Sequence, residues 1–157
     1  MIKPNGVSPT FLVILIFIFS LMSLELIIPT TSPIAEDKAP EKQEITVEGG
    51  GKYTNVNPAG LAMMLKEKDF LLINVHVPYE GEIEKTDLFI PYNEIEQNLD
   101  KLPSNKKTKI ILYCKTNRMS DIATRILVKL GYTNIWNLDG GMIRWEKAGY
   151  PLVYRGR

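Results

Sequence analysis

Two short apolar runs with no polar alternation, Phe70-Leu71-Leu72-Ile73-Asn74-Val75 and Ile110-Ile111-Leu112-Tyr113, constrain this chain more than any other feature. A strand with one face in water alternates apolar and polar residues, and a buried helix needs a longer run. These runs therefore predict strands covered on both faces, which is the environment of a parallel sheet flanked by helices. The segments between them have helical spacing. Asn57-Pro58 is a helix start, with Asn as N-cap and Pro at the first helical position, and Leu61, Met64 and Leu65 follow. Asn93 to Leu102 predicts a helix with Ile95, Leu99 and Leu102 inward, ended by Pro103, and Asp121 to Leu130 predicts another, ended by Gly131. Tyr53–Val56, Leu88–Ile90 and Asn134–Leu138 read as further strands, and Gly140-Gly141 as a tight strand-to-helix turn opening a last helix with Met142, Ile143 and Trp145. Strands alternating with helices predict an α/β layered domain.

That domain occupies residues 53–157. Before it, Phe11 to Leu24 holds only Ser20 and Ser23 as polar residues, and Leu26-Ile27-Ile28 extends the stretch past Glu25. As a helix, residues 11–28 would span roughly 27 Å, close to the ~30 Å hydrocarbon core of a bilayer. The expectation is an uncleaved transmembrane anchor behind a short positive N-terminus, residues 1–10. A cleaved signal peptide is the alternative, although the best cleavage point, after Ala35, has Pro33 where a small residue is wanted. Either way the domain is expected outside the cytoplasm, membrane-anchored or secreted. Residues 29–52, with Pro29, Pro33, Pro40, mixed charges and Gly49-Gly50-Gly51, read as a flexible linker without a core.

Cys114 is the only cysteine and His76 the only histidine. One cysteine excludes an intramolecular disulfide framework and a cysteine zinc cluster, and neither metal nor cofactor is expected. From Glu80 to Asp100 seven acidic residues face Lys85 alone, whereas from Lys101 to Lys129 eight basic residues face Asp121 alone. This asymmetry reads either as two solvated faces or as an anion-attracting potential around Cys114. Nucleic acid is not an expected partner, because Lys106-Lys107-Lys109 reads as an exposed turn with no aromatic platform. Trp136, Trp145, Tyr132 and Phe89 read as core packing.

Cys114 stands where the strand Ile110–Tyr113 runs into the polar turn Lys115-Thr116-Asn117-Arg118-Met119-Ser120, with a helix directly after. Loop amides and a helix N-terminus both favour negative charge, so a thiolate suits this place.

The series Tyr113-Cys114-Lys115-Thr116-Asn117-Arg118-Met119-Ser120, the Gly131-Tyr132 turn, and Leu138-Asp139-Gly140-Gly141 through Trp145 to Gly149-Tyr150-Pro151 together resemble a rhodanese homology domain. Phe70–Val75 followed by His76-Val77-Pro78-Tyr79-Glu80 is similar to the family's second strand and Pro-x-Glu loop. The resemblance implies a three-layer sandwich with a parallel five-stranded sheet, and a cysteine that carries sulfur as a persulfide. It implies Cys114 as nucleophile and the amides of Lys115, Thr116, Asn117, Arg118, Met119 and Ser120 as the cradle of the charged sulfur. Lys115 and Arg118 are candidates to hold an anionic donor such as thiosulfate, with a thiol or other thiophile as acceptor. Ser120 is expected to be the helix N-cap, with a hydrogen bond to the persulfide as the alternative. The chain departs from the family where Asn74 and His76 stand in place of the usual Asp-x-Arg, and where Asn117 replaces a loop glycine; Asn tolerates positive φ better than most residues. His76 is expected to be structural, with binding or proton transfer near Cys114 as the alternative. A cysteine phosphatase would need Cys-x5-Arg, and the residue six beyond Cys114 is Ser120. The remaining alternative is a non-catalytic, membrane-tethered module that binds sulfur or a partner.

Overall fold

The computed structural model describes residues 39–156. The central sheet has six strands: β1 (Lys42–Thr46), β2 (Lys52–Val56), β3 (Leu71–Asn74), β5 (Leu88–Phe89), β6 (Ile110–Tyr113) and β7 (Ile135–Leu138), in the order β1-β2-β7-β6-β3-β5. The five strands from β2 to β5 run parallel, as expected, and β1 adds an antiparallel edge to β2. A small second sheet pairs β4 (Glu82–Ile83) with β8 (Leu152–Val153). Among the described residues the α-helices are α1 (Pro58–Met64), α2 (Arg118–Lys129) and α3 (Gly141–Lys147).

The non-alternating runs are buried on both sides, and their residues divide between two cores. Ile73, Ile110, Leu112 and Cys114 join Ala123, Leu127 and Val128 of α2 on one face. Leu72, Ile111 and Tyr113 join Leu61 of α1 and Met142 and Trp145 of α3 on the other. Strand β6 is central and wholly buried, so Cys114, the residue that follows it, stands at the carboxyl edge of a parallel sheet. In open α/β sheets that edge is where ligand crevices form.

Three expectations change. The stretch read as flexible linker, 29–52, is ordered structure over its last part. Lys42–Thr46 pairs with Lys52–Val56, Gly49, Gly50 and Gly51 form the hairpin turn at positive φ, and Val47 is only 2% exposed. Its few apolar side chains suffice because the ladder to β2 satisfies the backbone, while Asn57 accepts from Glu41 N and donates to Ala39 O. The same Asn57 accepts from Gly60 N as the expected helix cap. The helix expected over Asn93–Leu102 is instead two 3-10 turns, Tyr92–Glu94 and Glu96–Lys101. The backbone is non-helical at Asn98, whose amide donates to Glu94 O at 2.8 Å, a side-chain bond that competes with the helix ladder. Ile95 and Leu102 are nonetheless buried. The helix after the cysteine begins at Arg118 with Asn117 in the cap position, three residues before the expected start.

Trp145 and Tyr132 are core residues, as expected, whereas Trp136 and Phe89 are half-buried. No described helix is long and apolar enough to cross a membrane, and the segment 11–28 lies outside the described residues.

Candidate active site

Two elements hold the Cys114 turn. From α3, Met142 N donates to Cys114 O at 2.9 Å and Ile143 N donates to Lys115 O at 3.0 Å. These are amides of a helix's first turn, which have no acceptor within their own helix. Gly141 is what permits the approach: at φ +58, a Cβ placed on it would lie 2.3 Å from Cys114 O. From α2, Ser120 Oγ lies 3.4 Å from Cys114 Sγ and 3.0 Å from Asn117 O, two acceptors within reach of its one hydroxyl hydrogen. Ser120 is therefore inside the first turn of α2 and touches the sulfur; the N-cap role passes to Asn117, because the turn closes three residues earlier than expected.

Cys114 is 1% exposed, unbonded to any other thiol, and belongs to the core on the α2 face of the sheet. Lys115, Thr116 and Arg118 are exposed at the loop surface, while Asn117 is half-buried. Met119 packs against the core that holds Cys114, so its side chain serves the fold. Asn117 has φ 151, a conformation that glycine adopts freely and other residues rarely.

His76 and Asn74 adopt an arrangement of their own. Asn74 Nδ2 donates to Gly81 O at 3.0 Å and its Oδ1 accepts from His76 N at 2.9 Å, so Asn74 shapes the loop after β3. The His76 ring is buried, and its Nε2 lies 3.4 Å from Glu80 Oε2. That is an ion-pair distance without hydrogen-bond geometry, and both ring nitrogens lack a hydrogen-bond partner. Glu80 turns its carboxylate chiefly to Lys115, whose Nζ is 2.5 Å from the same oxygen. The Lys115 ammonium holds the Glu80 carboxyl below the usual carboxylate range, with a lesser contribution from His76. The loop after β3 is thus coupled to the cysteine loop through Glu80, which in the sequence stands only as the last residue of the Pro-x-Glu loop.

Two basic residues of this segment pair with acids from elsewhere in the chain and a third with the segment's own Asp121. Lys109 pairs with Asp69, Lys115 with Glu80 and Arg125 with Asp121, while Lys106 donates to Leu130 O and lies over Tyr132. Arg118 stands exposed at the first residue of α2. Beside the loop, Glu80, Lys115, Met142, Ile143, Glu146, Leu152 and Tyr154 line an open cavity of about 390 Å³.

The model of the Rhodanese-like domain family matches residues 61–148, more than half of the chain. A sulfurtransferase of Allochromatium vinosum is 30% identical over 89 residues, covering 55% of this chain and 80% of that protein. A mitochondrial protein of Schizosaccharomyces pombe, named as a candidate thiosulfate sulfurtransferase, is 34% identical over 95 residues, 51% of this chain and 66% of the relative. A tRNA uridine(34) hydroxylase of Hamiltonella defensa is 27% identical over 104 residues, 60% of this chain but only 29% of that longer protein. Among solved structures, a rhodanese-related protein of Thermoplasma volcanium superposes with a TM-score of 0.56 at 28% identity, covering 64% of this chain and 98% of the other. The parallel sheet flanked by helices agrees with those matches, and the chain belongs to the rhodanese-like domain family.

Proposed function

We propose that this chain is a sulfurtransferase that moves a sulfane sulfur from a donor such as thiosulfate to a thiophilic acceptor through a persulfide on Cys114. The Cys114 thiolate attacks the outer sulfur of thiosulfate; the new S–S bond forms as the bond to the sulfonate sulfur breaks, and sulfite leaves with the electron pair. The acceptor, cyanide or a thiolate, then attacks the outer sulfur of the persulfide and the Cys114 thiolate returns. The observation that carries this reading is the placement of the only thiol at the junction of two helix first turns, with the Ser120 hydroxyl 3.4 Å from its sulfur. Amide dipoles and a hydroxyl donor suit both the thiolate and the terminal sulfur of the persulfide. Arg118 and Lys115 receive the anionic donor, and the loop amides of residues 115–120 cradle the transferred sulfur. The names of the Allochromatium and Schizosaccharomyces relatives support the reaction class.

The test is transfer from thiosulfate to cyanide by the wild type beside Cys114→Ser, with intact mass spectrometry after donor treatment. One added sulfur on the wild type and none on the variant is the expected result. Equal inactivity of both across several donors refutes the reading. The engagement of Lys115 by Glu80 favours a second reading, a module that accepts sulfur or holds a partner without turnover; it predicts a stable persulfide and no transfer to cyanide.

We further propose that residues 11–28 anchor the chain in a membrane with the domain outside the cytoplasm, on the strength of their length and apolar character. Resistance to alkaline extraction together with protease accessibility from the outer side tests this; a mature mass beginning after residue 28 would instead show a cleaved signal.

A further inference from the structure

Asn137 is a fully buried amide in a strand whose other residues are apolar or aromatic, Ile135-Trp136-Asn137-Leu138. Strand β7 lies beside β6, and in the parallel register Asn137 stands opposite Leu112, two residues before Cys114. A buried amide among hydrophobic neighbours is costly unless its polar atoms have a purpose. Its Nδ2 donates to Asn117 Oδ1 at 2.6 Å and to Asn55 Oδ1 at 2.9 Å. Its Oδ1 is buried with no hydrogen-bond partner, so the two donor bonds account for all the hydrogen bonding of the side chain.

The bond to Asn117 matters because of where Asn117 sits. It is the residue of the cysteine loop at φ 151, the cap position of α2, and its side chain makes no capping bond to that helix. The side chain that would ordinarily cap the helix is turned instead onto β7. A residue in so sparsely populated a conformation persists only when its surroundings hold it there. Asn117 O in turn accepts from Ser120 Oγ, the hydroxyl that approaches Cys114 Sγ, and from Asp121 N at 2.8 Å. A continuous path of hydrogen bonds therefore runs from Asn55 on β2, through Asn137 on β7, to Asn117 in the loop and Ser120 in the first turn of α2.

We propose that Asn137 is a positioning residue for the sulfur site: it holds Asn117 in its strained conformation and thereby keeps the Ser120 hydroxyl and the loop amides aligned on Cys114. The inference rests on the sulfur-transfer reading above. Alkylation of a buried thiol needs only that the loop open, whereas sulfur transfer needs the cradle intact; loosening the loop therefore speeds the first and slows the second. A role confined to stability would give the same pair of signs, but with equal size whatever residue stands at 117, so the dependence on Asn117 is what separates the two.

The test compares wild type, Asn137→Ala, Asn117→Gly and the double variant by two measurements on the full chain. These are the rate of sulfur loading of Cys114 from thiosulfate in a single turnover, and the rate of alkylation of Cys114 by iodoacetamide. In the wild-type background Asn137→Ala is expected to slow loading by about tenfold to a hundredfold, the scale of a displacement of about 1 Å at a reacting group, and to raise alkylation. In the Asn117→Gly background, where glycine adopts this φ without support, the same substitution is expected to have a much smaller effect on both rates. Asn137→Leu, of similar volume and without donors, repeats the comparison if the alanine variant does not fold. Equal effects of the Asn137 substitution in the two backgrounds, or loading and alkylation that move in the same direction, overturn the proposal. If the wild type takes no sulfur from any donor the transfer reading fails, and the alkylation cycle still decides whether Asn137 positions the loop.

Discussion

Gly141 and Cys114 approach each other so closely that the position opposite the Cys114 carbonyl admits no side chain: a Cβ on Gly141 would stand 2.3 Å from that oxygen and 2.8 Å from the backbone of Lys115. Both neighbours are backbone atoms, so no rotamer change relieves the clash. Gly141→Ala is expected to cost at least about 2 kcal/mol of stability, from overpacking and from a β-carbon at φ +58, and to disrupt the Met142-to-Cys114 bond. Denaturant unfolding and persulfide mass measurement check both effects.

Glu80 competes with an anionic donor for Lys115. Glu80→Gln releases the ammonium and is expected to lower KM for thiosulfate by about two- to fivefold, the scale of an exposed ion pair, with kcat little changed. The pH dependence has a definite sign. The Glu80 carboxyl is held below its ordinary 4.5 by Lys115, so the contact is fully present above 4.5 and is lost as pH falls through the lower folded value. Carbon NMR of the Glu80 carboxyl should show a midpoint below 4.5 that returns toward it in Lys115→Ala.

Tyr113, the neighbour of the nucleophile, points to the opposite face of the sheet. Its hydroxyl accepts from Ile83 N at 3.0 Å and lies 2.7 Å from Thr86 Oγ1. Tyr113→Phe leaves the buried Ile83 amide without that acceptor and is expected to cost about 1–3 kcal/mol. Burial pushes the Tyr113 phenol above its ordinary 10.0, and burial with the Asp121 bond pushes Tyr53 up to about 12. Both raise stability below pH 10, and that stability is lost as pH rises further. The fall in melting temperature above pH 10 should be shallower in Tyr113→Phe.

Val47 tests the edge of the domain. If the segment before Tyr53 were a tether, substitution there would be neutral; buried as it is, Val47→Ala is expected to cost about 1–3 kcal/mol in urea unfolding. Asn57→Ala, which removes a helix cap and the bonds to Glu41 and Ala39, is expected to cost about 1–2 kcal/mol.

Some of the site was legible before any coordinates. The thiol's place at the end of Ile110–Tyr113 follows from a run that has to be buried, and the helix beyond it follows from its apolar spacing. The Asn57-Pro58 start is visible because a cap is made within three residues. β1 was missed because Ile45 and Val47 are isolated apolar residues among charges, and an antiparallel edge strand draws its order from a ladder that leaves little trace in side-chain pattern. The helix expected over Asn93–Leu102 showed the right burial at Ile95 and Leu102, but a side-chain bond from Asn98 altered its backbone. Asn137 gave one signal, a polar residue inside an apolar run, without any sign of its partner.

By itself the sequence determined the strands that must be buried on both faces, the single nucleophile and the turn that carries it, because apolar period and chain punctuation act over a few residues. Only the tertiary structure decided that Glu80 engages Lys115, that Asn137 holds Asn117, and that Gly141 presses against Cys114. Each of those contacts joins residues at least 20 apart in the chain, brought together by a sheet in which β6 lies between β3 and β7. Hydrogen bonds and ion pairs depend on distances of a few ångströms, and that proximity is a property of strand order, which local sequence pattern does not encode.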